Sequence, residues 1–501
     1  MGNGQDLTAG QPVLHEHGKT AVFFCNRDRN HFVRRLQSWR YSPTSDRSLT
    51  PCVKKQPQLL AIYGQRKNIP VTQSGRYVIC FHLPTLLLPF TGEIPQLVEN
   101  KVFTMLNRSL NALLALACIA TSVLAQDSQP RYEVKLLTVD ANEGIAAGDV
   151  DGDGKPDLVA GRNWYRGGEW APRPLRNIAD WNGYVESNGD YLLDVNGDGR
   201  LDVIAGSFTP TEIHWYENPG KEGLRLGKHW KQHLLVDTKN TRNEGQLLQD
   251  IDGDGRPEWI VNSWSNDVPT VIWRLVDKPK AEVKDKKPNT SQAIYEMQPH
   301  ELGKKANGHG LAVGDISGDG LTDVLVGQGW YEQPKENAWG QPWKFHADWK
   351  LHASVPMIVT DLDQDGDGDL IFGKGHDYGL LWWQNEGVDA NGKLQWKEHE
   401  IDRSFSQPHT LAWADIDGDG SSELITGKRY YGHNGNDPGG QEMPCLYYYD
   451  WDAKTQKFTR NTIEEGHVGC GLQIVTTDLN GDNKCDVAVA GKSGTYILFA
   501  K

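Results

Sequence analysis

The amino-acid sequence predicts an all-β fold, a seven-bladed β-propeller of four-stranded blades, and three observations carry that prediction. A short acidic loop recurs seven times at blade-like spacing, apolar strand signals flank the copies, and the strand missing after the last copy is present before the first.

The first loop, "DVDGDGKPD", sets Asp149, Asp151, Asp153 and Asp157 at positions 1, 3, 5 and 9, with Lys155 at position 7 offering a backbone carbonyl. Carboxylates this close repel one another unless a hard cation takes up their charge, and oxygen donors at this spacing suit Ca2+. The same four positions are filled by Asp194, Asn196, Asp198 and Asp202, then by Asp250, Asp252, Asp254 and Glu258. Asp315, Ser317, Asp319 and Asp323 follow, then Asp361, Asp363, Asp365 and Asp369. The last two sets are Asp415, Asp417, Asp419 and Glu423, and Asp478, Asn480, Asp482 and Asp486. Up to seven calcium ions are therefore expected. The Asp315 copy, with Ser317, and the Asp478 copy, with Asn480 and no second glycine, are the weakest. An EF-hand closes on a Glu at position 12 between helices; here position 12 is never acidic and an apolar run follows, so the loops join strands.

The copies begin at residues 149, 194, 250, 315, 361, 415 and 478, intervals of 45, 56, 65, 46, 54 and 63 residues. That is too long for stacked solenoid turns and right for one blade with its loops. Strand a precedes the loop ("GLAVGD", "TLAWAD"), and b follows it ("DVLVG", "ELITG"). Strand c carries aromatics ("EIHWYEN", "GLLWWQN", "CLYYYDW"), and d alternates ("HWKQHLLVD", "LQWKEHEID"). After the last loop come "DVAVAG" and "GTYILFAK" with no strand d, whereas residues 132–140, "YEVKLLTVD", resemble "WKQHLLVD". This N-terminal strand is expected to complete blade seven and close the ring, which removes exposed sheet edges.

The seven loops resemble the FG-GAP and VCBS repeat family, calcium-loop propellers typified by the integrin alpha-chain head, over residues 132–501. The resemblance implies the fold and the metal. It implies little about function, because such propellers serve adhesion modules, lectins and lyases alike. A weaker resemblance is to the propeller of the aldos-2-ulose dehydratases, which carry further domains.

Residues 1–104 hold 13 Lys and Arg against 6 Asp and Glu and show no repeat, although the whole chain has a net charge of −14. From Met105, "MLNRSLNALLALACIATSVLAQDSQ" has a short basic start, an apolar centre and the small-residue ending Val123-Leu124-Ala125. This reads as a signal peptide over 105–125, too short for a comfortable membrane span. The expectation is that translation starts at Met105, that 1–104 is a non-native extension, and that 126–501 is exported with no membrane span; a genuine N-terminal domain with a membrane anchor is the alternative. N-terminal sequencing of the native protein should then begin at or near Gln126, and peptides from 1–104 would refute the reading. A secreted or periplasmic setting suits calcium loops of modest affinity, and the acidity argues against nucleic acid. After export only Cys445, Cys470 and Cys485 remain, enough for one bridge and one free thiol.

If the calcium loops join a to b, the d-to-a and b-to-c loops open on the opposite face, around the mouth of the central channel. Six residues before the first Asp of each loop stand Glu143, Asn188, Glu244, His309, Val355 and His409; blade seven breaks register, with His467 nearby. After the glycine of strand b stand Arg162, Ser207, Gln328, Lys374, Lys428 and Lys492, with His376 and His433 just beyond. One reading is a site in which His309, His409 and His467, with Glu143 or Glu244, hold a transition metal or act as acid and base. The Lys and Arg ring would then receive an anionic or carbonyl-bearing ligand. The other reading is a wet rim that tolerates any polar residue. His309 and His409 are expected to be exposed loop side chains whose loss costs little stability.

Trp164-Tyr165, Trp215-Tyr216, Trp330-Tyr331 and Trp382-Trp383 recur near strand c and should mostly pack blades, with Trp164 and Trp330 also candidates for stacking on sugar rings. The insertion 277–292 reads as a solvated loop, and the Gly-rich 432–444 as a lid on the mouth face. No nucleophile elbow, phosphate loop, dinucleotide fingerprint or HExxH is present, which excludes hydrolase and nucleotide chemistry by those routes. Three classes stay open: a calcium-dependent module binding carbohydrate or an extracellular protein, a carbohydrate lyase or dehydratase using the mouth residues, and a structural scaffold.

Overall fold

A computed structural model describes residues 131–278, 295–304 and 307–501; the expected leader at 105–125, the segment 1–104 and residues 279–292 of the insertion lie outside the described residues. Seven four-stranded antiparallel sheets follow one another, each in the order a, b, c, d. Blade four is representative, with strands Leu311–Gly314, Asp323–Val326, Gly329–Glu332 and Lys344–His346. The a strands of neighbouring blades touch all round the ring, so strand a lines the channel. Blade seven is Ile474–Thr477, Asp486–Gly491 and Gly494–Ala500, and its outer strand is Tyr132–Thr138, paired from Tyr132 opposite Ala500 to Thr138 opposite Thr495. The N-terminal strand thus closes the ring, as its likeness to the d strands predicts.

The b strands are buried on both faces, which is why they read as continuous apolar runs such as Asp323–Val326. Their side chains pack against the next blade, so the core is divided into seven clusters, one per blade interface. Ile260, Ile272 and Leu302 of blade three meet Val324, Val326 and Tyr331 of blade four, for example, and Ile145 and Leu158 of blade one meet Ala488 and Ile497 of blade seven. Each fully buried aliphatic contributes about 1.5–3 kcal/mol. The strand-c tryptophans belong to this packing, since Trp164, Trp215, Trp330 and Trp382 are all buried. Three of them stack on the histidine opposite in strand d: Trp215 on His233, Trp330 on His346 and Trp382 on His399, with ring centroids 4.3, 3.9 and 4.1 Å apart. Trp164 and Trp330 therefore do not line the mouth, which corrects the expectation of sugar stacking there.

The acidic loops share one internal geometry. The position-9 carboxylate is buried and accepts the backbone N–H of position 2 in all seven, from Val150 to Asp157 (3.0 Å) through Leu479 to Asp486 (2.9 Å). In five blades its other oxygen accepts an N–H at the end of strand c, at Gly167, Asn218, Gln333, Asn385 and Ala500. Position 9 thus ties the turn to the blade. Position 6 needs a left-handed backbone, supplied by Gly154 at φ 85° in the first loop and by Asn483 at φ 65° in the last, which explains how that copy manages without its second glycine.

Departures from the predicted pattern are few. A hairpin of Asp180–Trp181 and Tyr184–Val185 stands between blades one and two, and a short helix, Gly220–Arg225, lies between strands c and d of blade two. Cys445, Cys470 and Cys485 are free thiols, so the single bridge allowed by their number does not form. Among the described residues no helix is long and apolar enough to cross a membrane.

Candidate metal centre at the channel mouth

Four side chains from four consecutive blades converge where the a strands begin. Glu244 lies in strand a of blade three (Asn243–Gln249) and His409 in strand a of blade six (Pro408–Ala414). His309 immediately precedes strand a of blade four, and His376 occupies the turn between Asp369–Gly373 and Tyr378–Val388 of blade five. The Nε2 atom of His309 is 3.1 Å from that of His376, 3.2 Å from that of His409 and 3.3 Å from Oε2 of Glu244. Nε2 of His409 is 3.5 Å from Oε1 of Glu244. A tetrahedral centre with donors at about 2.0–2.1 Å separates those donors by about 3.3 Å, so the spacing matches a metal shell.

Hydrogen bonding on the far side of the rings sharpens this. Nδ1 of His309 is 2.6 Å from the carbonyl of Ala353, which can only accept, so a neutral His309 carries its proton there and presents a lone pair inward. Nδ1 of His376 is 2.9 Å from the Asp437 carboxylate, with the same consequence. Oε1 of Glu244 accepts from Arg429 (2.5 Å), whereas Oε2 is buried without a hydrogen-bond partner. Lone pairs aimed at one point from three sides repel, and a positive charge at that point, a ring proton or a metal ion, relieves them.

Burial and charge set the electrostatics around the cluster. Burial, followed by the charge of Arg429, depresses His409 to about 3; burial, with His409 and His309, lowers His376 further still. Burial is the largest influence on Glu143 and Glu244 and opposes their charge, yet their partners together prevail: Arg429 with Lys492 holds Glu143 at about 2, and Arg429 with His309 and His409 holds Glu244 well below the usual carboxylate range. Arg429 donates to both oxygens of Glu143, at 2.9 and 2.8 Å, so one guanidinium fixes two acids from blades one and three. Lys492 lies 3.6 Å from Glu143 over the face of Tyr184, with burial bringing it down to about 8.

The predicted mouth residues thus divide. His309, His409, Glu244 and His376 come together; His309 and His409, however, are 4% and 0% exposed, not exposed loop side chains, because strand a is walled in by its neighbours. Glu143 belongs to the ion-pair network behind them. His467 is a correction: its side chain is 81% exposed and held by Glu464, since it sits in the turn after strand d of blade six (Lys457–Glu465) and never enters the channel. Arg162 pairs with Asp140 and Asp180, and Lys428 is fully buried, donating to Ser406 Oγ and to the Gly439 carbonyl, so neither presents its charge to a ligand. Lys374 is half-buried against Gly379.

Gln328 does line a cavity of about 610 Å³ beside the cluster, together with Trp264, Lys350, His352 and His309. Sequence reasoning missed several members of this site. His352 stacks on His309 with centroids 4.2 Å apart, and Trp264 packs edgewise on His352, His376 and His433. Arg429, one residue past the counted ring, was findable as the second of two cations after a strand-b glycine; Trp264 holds the same place in blade three, where Asn262 replaces that glycine, and His352 sits at no repeated position.

Comparisons with known proteins bear on the repeat. The FG-GAP-like repeat model matches residues 194–261 and 361–426, and the FG-GAP repeat model matches 141–169. None of the curated proteins matches the chain. Among solved structures, the exotype rhamnogalacturonan lyase YesX is 14% identical, covering 73% of this chain and 72% of that one at a TM-score of 0.39. BBS1N in complex with ARL6DN is 12% identical over 73% and 94%, with a TM-score of 0.38. Saccharomyces cerevisiae Sqt1 is 9% identical over 74% and 98%, also at 0.38. Likeness at this level says nothing of what the chain binds or does. The repeat matches, with the seven closed four-stranded sheets, identify the chain as a β-propeller carrying FG-GAP and FG-GAP-like repeats.

Proposed function

We propose that this is an exported, calcium-stabilised propeller whose channel mouth holds a transition metal and acts on a carbohydrate as a lyase or dehydratase. The observation that carries the reading is the convergence of three imidazole Nε2 atoms and an unpartnered Glu244 oxygen at metal-ligand spacing. Such a shell favours zinc or a neighbouring divalent transition metal over calcium, since imidazole is a poor ligand for hard cations. A metal so held supplies Lewis-acid polarisation of a sugar carbonyl or hydroxyl oxygen.

The chain's own residues set the rest. Arg429 keeps Glu244 ionised and oriented, while Trp264 packs edgewise on His352, His376 and His433 and limits their movement. The adjoining cavity of about 610 Å³ supplies room for sugar rings, with Trp264 as an aromatic face and Gln328 and Lys350 as polar partners. In the acidic loops, the Asp149, Asp151 and Asp157 set and the Asp250, Asp252 and Asp254 set each gather ligand oxygens within 4.8 Å of one another, which fits calcium.

Elemental analysis of purified 126–501 tests the reading. About one equivalent of transition metal is expected, lost in His309→Ala and His376→Ala while calcium content stays unchanged. Incubation with neutral and uronate polysaccharides should release unsaturated or dehydrated sugar products from the wild type alone. Absence of the metal from the wild type refutes the centre; metal and glycan binding without turnover selects a binding module instead.

A further inference from the structure

We infer that Asp437, on the blade-six loop over the mouth, is the positioning residue that fixes the tautomer of His376 and so completes the metal shell. The inference rests on the metal reading above. His376 is the one histidine of the cluster carried on a turn between outer strands and not on or beside a channel-lining strand, so its ring has the least scaffold support. Its Nδ1 meets Asp437 Oδ2 at 2.9 Å, and its parallel neighbour His433, with centroids 4.6 Å apart and planes within 2°, meets Asp437 Oδ1 at 3.1 Å. A carboxylate only accepts here, so both rings are held with the proton on Nδ1, and Nε2 of His376 is left with its lone pair facing Nε2 of His309, 3.1 Å away.

By proximity alone His376, His433 and Asp437 form a second candidate metal set, their ligand atoms lying within 4.8 Å of one another. The parallel rings argue against it: ring lone pairs lie in the ring planes, and two such planes do not converge on one ion. Asp437 is therefore a hydrogen-bond acceptor that serves the metal through His376.

The loop that presents Asp437 is anchored on both sides of it. Lys428 Nζ donates to the Gly439 carbonyl at 2.6 Å, Tyr378 donates to Glu442 at 2.5 Å, and the His433 N–H donates to Tyr184 Oη at 2.8 Å. Asn434 reaches the carbonyl of Asn182, in the hairpin between blades one and two, at 3.1 Å. The 432–444 segment, predicted as a lid, thus ties the 180–185 hairpin to blades five and six, and it delivers the Asp437 carboxylate to His376.

Two measurements test this. Zinc affinity by chelator competition should fall about 10–100-fold in Asp437→Ala and less in Asp437→Asn, which keeps an acceptor oxygen. Long-range proton–nitrogen NMR of the metal-free protein, assigned with His376→Gln, should show His376 protonated on Nδ1 in the wild type and shifted toward Nε2 in Asp437→Ala. Zinc affinity of Asp437→Ala within twofold of wild type, or an unmoved Nδ1 proton, overturns the inference even if the metal centre is real. A wild type that binds no zinc overturns the metal reading, and the tautomer measurement then decides the role of Asp437 by itself. If Asp437→Ala does not fold, the same two readouts on Asp437→Leu, which fills the space but offers no acceptor, decide it, with unchanged affinity and tautomer counting against.

Discussion

Chelation of divalent cations is expected to lower the melting temperature of 126–501 by at least about 5 °C, with all seven blades loosening together. The reason is local and repeated. Each loop crowds carboxylates around one turn, as in Asp250, Asp252 and Asp254, and that turn joins the channel strand to the buried b strand of its blade. With the cation gone the like charges repel at the joint where the two strands meet. A ligand at a hundredfold excess over its dissociation constant stabilises by about 2.7 kcal/mol per site, so a few occupied loops suffice for a large shift. The measurement is calorimetry with and without chelator, followed by calcium add-back. An unchanged transition would show that the turns stand on their backbone hydrogen bonds alone, the position-9 carboxylates chief among them.

Replacing Arg429 with Met should cost about 3–5 kcal/mol, because it leaves two buried carboxylates without their charge partner. Arg429 is 3% exposed and its guanidinium spans Glu143 and Glu244 from blades one and three, which no other side chain among the described residues does. Arg429→Lys should recover only part of the loss, since an ammonium cannot reproduce the planar fork that meets three oxygens. The pH dependence follows from Glu143, whose folded pKa of about 2 lies below its ordinary value of 4.5. A depressed carboxylate contributes stability that is complete above the ordinary pKa and is lost as pH falls from there toward about 2. In Arg429→Met that advantage is gone and burial favours the protonated acid, so the deficit against wild type should shrink as pH is lowered from 7 to 4. Urea unfolding of both proteins across that range checks it. A deficit below about 1 kcal/mol at pH 7 would mean that the two acids find another partner.

Much of the architecture was legible because it repeats. Seven loops with the same positions, spaced by one blade, leave few alternatives, and the missing strand d at the C-terminal end pointed to residues 132–138 as its substitute. The register count also reached three of the four clustered side chains directly, Glu244, His309 and His409, because strand a occupies the same place in every blade. The count faltered where the repeat does. Blade five offers Val355 at the counted position, and its histidine comes instead from the b-to-c turn, at His376; blade seven's nearest histidine, His467, lies on an outer turn.

The sequence by itself determined the number of blades, the strand order, the closure of the ring and which face carries the acidic loops, since these follow from local periodicity and spacing. Only the tertiary structure decided which polar residues of the mouth share a site. Around a closed ring, residues 100 or more apart in sequence, such as His309 and His409, become neighbours at 3.2 Å, while Lys428, at an equivalent repeat position to Gln328, is turned into the protein to hold a loop. Repeat position gives the height of a residue along the channel; rotamer, burial and charge partners give its direction. Those depend on the non-repeated segments, the 180–185 hairpin, the turn at Trp264 and the 432–444 loop, whose contacts cross between blades and leave no periodic trace in the chain.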